Sequence, residues 1–210
     1  MTDIVFWSTI FSQHGLFLSQ LLNQSLVPRL YDDSRWMERT WKKIDVESNR
    51  DYILDMVDET IRIKREILYI SSSTPINLII PKIDFDKLLH HMLLEVYHFR
   101  DSMSGNLSLD EEVSFYKREL EQHTELAANS ITNNNSLRKK LYEMVLEMKK
   151  TRKIDKAIDL IIEGGDTGNK LLSMVDMGEV QSLMTPLMIL HEISETMHGE
   201  EKLRSLGIRI

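Results

Sequence analysis

The chain has 210 residues, a formal net charge of -7 and a pI near 5.5, which argues against nucleic acid as its main partner, since phosphate binding is driven by clustered Lys and Arg. Hydrophobic residues make up 42% and charged ones 28%, enough to bury a core in one large domain or two small ones. There is no cysteine, which excludes disulfides and thiolate metal sites; any metal must be held by His, carboxylate or water.

Apolar residues recur at helical spacing, and the alternation of strands is scarce. In the first stretch Ile4, Trp7, Ile10, Phe11, His14, Phe17, Leu18 and Leu21 mark one buried helical face, and Pro28 follows where that helix has ended. A second apolar pattern spans about positions 33–44. A third runs from about 48 to 70, with Ser48 as an N-cap and Asp51 as a first-turn acid. "SSSTPINLIIPKID" reads as a connection in which Pro75 and Pro81 close off helix, and positions 76–80 form an extended segment or loop lid. A fourth helix covers about 84–103, with Gly105 just past its end.

Ser108 and Glu111 carry a capping-box signature for a fifth helix, which continues to about 131 and ends in "TNNNS". Ser136 caps a sixth that runs towards 162, where Gly164, Gly165 and Gly168 break it before a short segment at about 170–177. Thr185 and Pro186 pair as N-cap and first helical residue of a last helix reaching beyond His198. The basic runs at 138–140 and 149–153 are interleaved with Glu143 and Glu147 and read as a solvated helix face. The start, "MTDIVFW", lacks the basic region of a signal peptide, and no apolar run approaches the roughly 20 residues of a membrane span, so a cytoplasmic chain is expected.

Histidine placement carries the functional signal. Positions 6–22, "FWSTIFSQHGLFLSQLL", align with 115–131, "FYKRELEQHTELAANSI", at an offset of 109, which sets Phe6 on Phe115, Trp7 on Tyr116 and His14 on His123. "HMLLEVYH" at 91–98 and "HEISETMH" at 191–198 share the pattern HxxxExxH at an offset of 100. Six of the seven histidines thus fall into three corresponding pairs, with His90 alone unmatched, which points to a duplicated site.

On a helix the positions i, i+4 and i+7 lie on one stripe, so His91, Glu95 and His98 share a face, as do His191, Glu195 and His198. The i,i+4 and i,i+3 pairs can each chelate an ion, and each first helix adds one inward histidine, His14 or His123. Two such copies related by a pseudo-twofold converge His and carboxylate ligands on a point between the repeats, as in di-iron and di-manganese bundles. Ligand types of this kind suit Fe, Mn, Zn or Co without choosing among them. A single HxxxE is ordinarily just a helix-surface pair, and the duplication is what favours a metal. The expected ligands are His14, His91, Glu95, His123, His191 and Glu195, with His98 and His198 secondary and His90, about 100° away from His91, a bystander. Gln13 and Gln122 are either second-layer orienting groups or ordinary amides. The aromatic residues Phe6, Trp7, Phe11, Phe17, Tyr97 and Phe99 read as core. Neither a nucleophile triad nor a phosphate-binding or dinucleotide motif is present, and "EGGDTGNK" follows no strand.

"FWSTIFSQHGLF" and "HMLLEVYHF" together resemble the bacterial tandem-repeat helical proteins known as the domain of unknown function 2935 family, with which a Bacillus-type metalloprotein fold is associated. The resemblance runs through both halves. It implies two similar four-helix domains with a metal site at their interface, held by His14, His91 and Glu95 from one and by His123, His191 and Glu195 from the other. That family usually carries an acid directly before the first-helix histidine, where this chain has Gln13 and Gln122.

The expected fold is therefore all-α: a tandem repeat of two up-and-down four-helix bundles, at 1–107 and 108–210, with the site at their interface. The expected function is to hold one or two transition-metal ions, Fe, Mn or Zn. Redox or O2-related chemistry of a ferritin-like or hemerythrin-like kind is one class. A structural metal staple, or a metal-free helical interaction module, is the other. The partners expected are a metal ion, with no nucleic acid and no membrane, and a homo-oligomer is left open.

Overall fold

The computed structural model describes residues 3–73, 84–105, 107–182 and 186–206. Among them the chain forms eight helices and no strand: α1 (Asp3–Leu21), α2 (Pro28–Trp41), α3 (Arg50–Ser71), α4 (Phe85–Met103), α5 (Leu109–Ser130), α6 (Asn135–Lys150), α7 (Ile154–Asp176) and α8 (Pro186–Ser205). One isolated bridge joins Ile131 to Ser182. The expected extended stretch at 76–80 with its two prolines, and Thr185, lie outside the described residues. No helix among the described residues is long and apolar enough to cross a membrane. The chain divides into two compact units, Met1–Asn106 with α1 to α4 and Leu107–Ile210 with α5 to α8.

Local chemistry sets the helix ends. Pro28 stands beyond the end of α1, as expected, and also opens α2, because the first turn of a helix needs no N–H donor and the ring fixes a helical φ. The cap of α3 is Asn49, whose side-chain oxygen accepts from the N–H groups of Asp51 at 2.8 Å and Tyr52 at 3.3 Å. Ser48, expected there, turns back to Asp45 instead, donating to its carboxylate at 3.0 Å. Asn49→Ala should cost about 1 kcal/mol and lower the thermal midpoint, read by far-UV circular dichroism, by about 2–4 °C. An unchanged midpoint would show that the cap contributes nothing.

Asp84 caps α4 through the Lys87 N–H at 3.1 Å, and Gly105 closes its far end in the left-handed region at φ 71°. The capping box of α5 is complete: the Ser108 N–H donates to Glu111 at 2.8 Å, and the Glu111 N–H donates to the Ser108 hydroxyl oxygen at 3.4 Å. The hydrogen bond from the Ser108 side chain, then that from its N–H, holds the Glu111 carboxyl below its ordinary range. For α6 the cap is Asn134, accepting from the Leu137 N–H at 2.9 Å, and not Ser136.

The largest departure from expectation lies in the glycine tract. Positions 164–168 do not break a helix; they sit inside α7, and the true break is the short link at 151–153. A Cβ built at Gly164 would stand 2.3 Å from a methyl of Leu120, and one at Gly168 would stand 2.9 Å from the Ile193 side chain. The glycines let α7 come close to α5 and α8, and that packing outweighs a propensity cost of roughly 1 kcal/mol per glycine.

The packing order differs between the units accordingly. In the first, each helix packs on the next and α4 returns to α1. In the second, α5 packs on α6, α7 and α8, and α7 also packs on α8. The basic run at 138–140 lies near the start of α6 and that at 149–153 spans the α6–α7 link; Lys139, Lys140, Lys149, Lys150, Arg152 and Lys153 are exposed, and Lys139 pairs with Glu143 at 3.7 Å.

An aromatic cluster fills the first unit. The Phe11 ring lies 4.9 Å from that of Trp41 and 5.5 Å from that of Phe99, and Trp7 stacks on Phe11 at 5.6 Å. The indole N–H of Trp41 donates to the Thr60 hydroxyl at 2.8 Å, so this buried ring has its polar handle satisfied. Tyr97, expected in the core, is instead half-buried between the guanidinium groups of Arg65 and Arg100, at 5.5 and 5.2 Å from its ring centre. Helices α1 and α2 cross at Gly15, where an added Cβ would lie 2.4 Å from the Glu38 nitrogen and 2.6 Å from the Ser34 carbonyl oxygen.

Candidate metal centre

The stripe expected on α4 faces inward. Glu95 is fully buried, and one of its oxygens lies 2.8 Å from His91 Nε2 while the other lies 3.1 Å from His14 Nε2. A buried carboxylate needs such partners, since desolvating an uncompensated charge costs several kcal/mol (roughly, per ion). His14 comes from α1, four residues after Ile10 on the face that Phe11 also helps to bury.

Behind His14 stands Lys64, a fully buried lysine on α3. Its Nζ lies 2.9 Å from His14 Nδ1, donates to the Met92 carbonyl oxygen at 2.7 Å and sits 5.4 Å from the centre of the Phe11 ring. With Lys64 as an ammonium, which can only donate, Nδ1 of His14 is the acceptor and Nε2 carries the ring proton towards Glu95. A metal taken up at that Nε2 displaces the proton.

In the second unit the corresponding residues also converge, with more acid around them. His123 Nε2 on α5 lies 3.0 Å from Glu195, 3.1 Å from Glu192 and 3.7 Å from Glu119, and His191 Nε2 lies 3.6 Å from Glu195. One donor atom from each of Glu119, His123 and Glu195 falls within 4.8 Å of the others, and all three residues are buried. That spacing and that nitrogen–oxygen donor set fit a first-row divalent ion.

Of the secondary candidates, His98 is buried with its ring 6.0 Å from Trp7, and His198 is buried with its ring 6.3 Å from Tyr116, so each packs on the aromatic residue near the start of the first helix of its own unit. His90 is exposed and its Nδ1 lies 2.7 Å from the Asp86 carbonyl oxygen, one turn back on its own helix. Gln13 and Gln122 are half-buried.

Three residues of these clusters were not anticipated: Lys64, Glu119 and Glu192. Glu119 stands four residues before His123, a helical spacing that marks a shared face. Glu192 follows His191 directly, and Lys64 sits in the charged run "IRIKRE" of α3.

The fold and these clusters define an all-helical bundle protein whose buried His/Glu groups could hold a metal ion. No family model matches the chain, and no curated protein matches it. The fold is similar to the crystal structure of an uncharacterized protein from Bacillus cereus G9241, with a TM-score of 0.78 at 12% identity over 98% of this chain and 90% of that one. At that identity the likeness extends to the fold alone.

Proposed function

We propose that this chain is a metal-binding protein holding one or two transition-metal ions through the His/Glu clusters of its two units. The ligands are His14, His91 and Glu95 in the first and His123, His191 and Glu195 in the second, with Glu119 added to the latter. One observation carries the reading: buried carboxylates and imidazoles gather in each unit, with the donors of Glu119, His123 and Glu195 within 4.8 Å of one another. Structural needs alone rarely bring several carboxylates to one buried histidine, because each must be desolvated. The metal is Fe, Mn or Zn on donor chemistry. The bound ion supplies either redox and O2-related chemistry or a staple for the bundle. The paired "FW…QH" and "FY…QH" stretches and the duplicated HxxxExxH pattern support placing the chain with the domain of unknown function 2935 family.

Elemental analysis of protein purified without added metal, together with its absorption spectrum, tests this. At least one ion per chain is expected, and the ion count decides whether the two clusters serve one ion or two. Two irons with a charge-transfer band point to redox chemistry; one zinc whose chelation sharply lowers the thermal midpoint points to a structural role. Trace metal, with folding indifferent to chelation, would sink the proposal.

A further inference from the structure

The buried lysine of the first unit has a counterpart in the second that is a hole. The buried α3 residues Ile53, Met56, Val57, Thr60 and Ile67 are matched, 104 positions on, by Ala157, Leu160, Ile161, Gly164 and Leu171, all buried in α7. That register puts Gly168 where the first unit has Lys64. The neighbours of Lys64 are Phe11, His14 and Met92. At the offsets of 109 and 100 they correspond to Leu120, His123 and Glu192.

Those three residues and Gly168 line a single cavity of about 50 Å³. Its remaining wall is largely aliphatic, with Leu141, Leu171 and Ile193 among the contributors. Where one unit seats a lysine side chain, the other thus has a space with an apolar stem region and a histidine at its polar end. Lys64 meets Met92 through its backbone carbonyl oxygen; at the matching position of the second unit the side chain is a carboxylate, that of Glu192, 3.1 Å from His123 Nε2. At about 10–15 Å³ per water-sized atom, the cavity takes roughly four heavy atoms, one fewer than a lysine side chain has beyond its Cα.

We propose that this cavity binds a short primary alkylamine of three or four carbons, its ammonium against His123 and Glu192 and its chain along the aliphatic wall. The same pairing of apolar stem and charged head lets lysine bury its methylenes. The neutral alcohol of equal length fills the space equally well and lacks the charge. The cavity shares His123 with the proposed metal centre, so binding is measured on the chain both as purified and after chelation, and amine binding that persists without metal separates the two readings.

The test is a titration of the full-length protein with n-butylamine and, separately, 1-butanol, followed by methyl NMR of the cavity residues. Saturable binding of butylamine at least tenfold tighter than that of butanol is expected. Glu192→Gln should erase that preference, and Ala127→Leu, which fills the cavity, should abolish binding of both. Thr167→Leu fills the same cavity from α7 and serves should Ala127→Leu fail to fold. Equal binding of amine and alcohol, no saturable shift in the wild type, or undiminished amine binding in a folded filling variant would each overturn the assignment.

Discussion

Gly15→Ala is expected to destabilise the protein by about 3 kcal/mol, at the upper end of what overpacking costs. The reason is the nature of the atoms in the way. The new methyl would lie 2.4 Å from the Glu38 nitrogen and 2.6 Å from the Ser34 carbonyl oxygen, both backbone atoms of α2. No rotamer change relieves such a contact; α2 itself must move, and with it the 3.0 Å hydrogen bond from the Ser12 hydroxyl to the Glu38 carbonyl oxygen. At Gly164 the obstructing atoms belong to the Leu120 side chain, which can turn aside, so alanine there should cost less. Urea denaturation reads both variants. A Gly15→Ala midpoint within error of the wild type would mean that α1 and α2 do not cross this closely.

Glu195→Ala and Glu95→Ala are expected to empty the metal centre. Each glutamate is the common neighbour of two histidines: Glu195 of His123 and His191, and Glu95 of His14 and His91. Losing an outer-layer partner of a metal ligand typically costs about 10- to 100-fold in affinity, and loss of a ligand itself should cost at least as much. Metal content by elemental analysis should therefore fall well below half of wild type in each variant. His90→Ala, at an exposed position, should leave it unchanged. Removing one partner from a buried pair also destabilises, by roughly 3–5 kcal/mol, so Glu95→Gln and Glu195→Gln, which keep the volume, separate loss of metal from loss of fold. Wild-type occupancy in all four variants would count decisively against these ligands.

The all-helical fold could be read from periodicity and caps because those signals are local. Gly105 and the Ser108–Glu111 box each act within one turn, and each stands where its chemistry required. The misreading of the glycines has one cause, which is that the deciding partner lay elsewhere in the chain. Gly164 and Gly168 look like breakers until Leu120 and Ile193 are known to press on them. Ser48 and Ser136 are as plausible as caps as their neighbours Asn49 and Asn134, and a shift of one or two residues is below what composition resolves.

The candidate site divides in the same way. His14, His91, Glu95, His123, His191 and Glu195 stood out because each has a counterpart in the other half. Lys64, Glu119 and Glu192 have no chemical counterpart; at the corresponding positions stand Gly168, Ile10 and Met92. A comparison of halves finds only what the halves share, and it passes over what makes them different. Lys64 was further disguised by its setting, since a lysine between arginines and a glutamate ordinarily faces water.

The aromatic cluster around Phe11 has a practical consequence. All three tryptophans, Trp7, Trp36 and Trp41, belong to the first unit, and two of them are buried in its core. Tryptophan emission is therefore a private optical channel for that unit, while far-UV dichroism sums over both. Recorded along one denaturation, the two signals either superpose or separate, and the gap between them measures how far the units share a single cooperative transition.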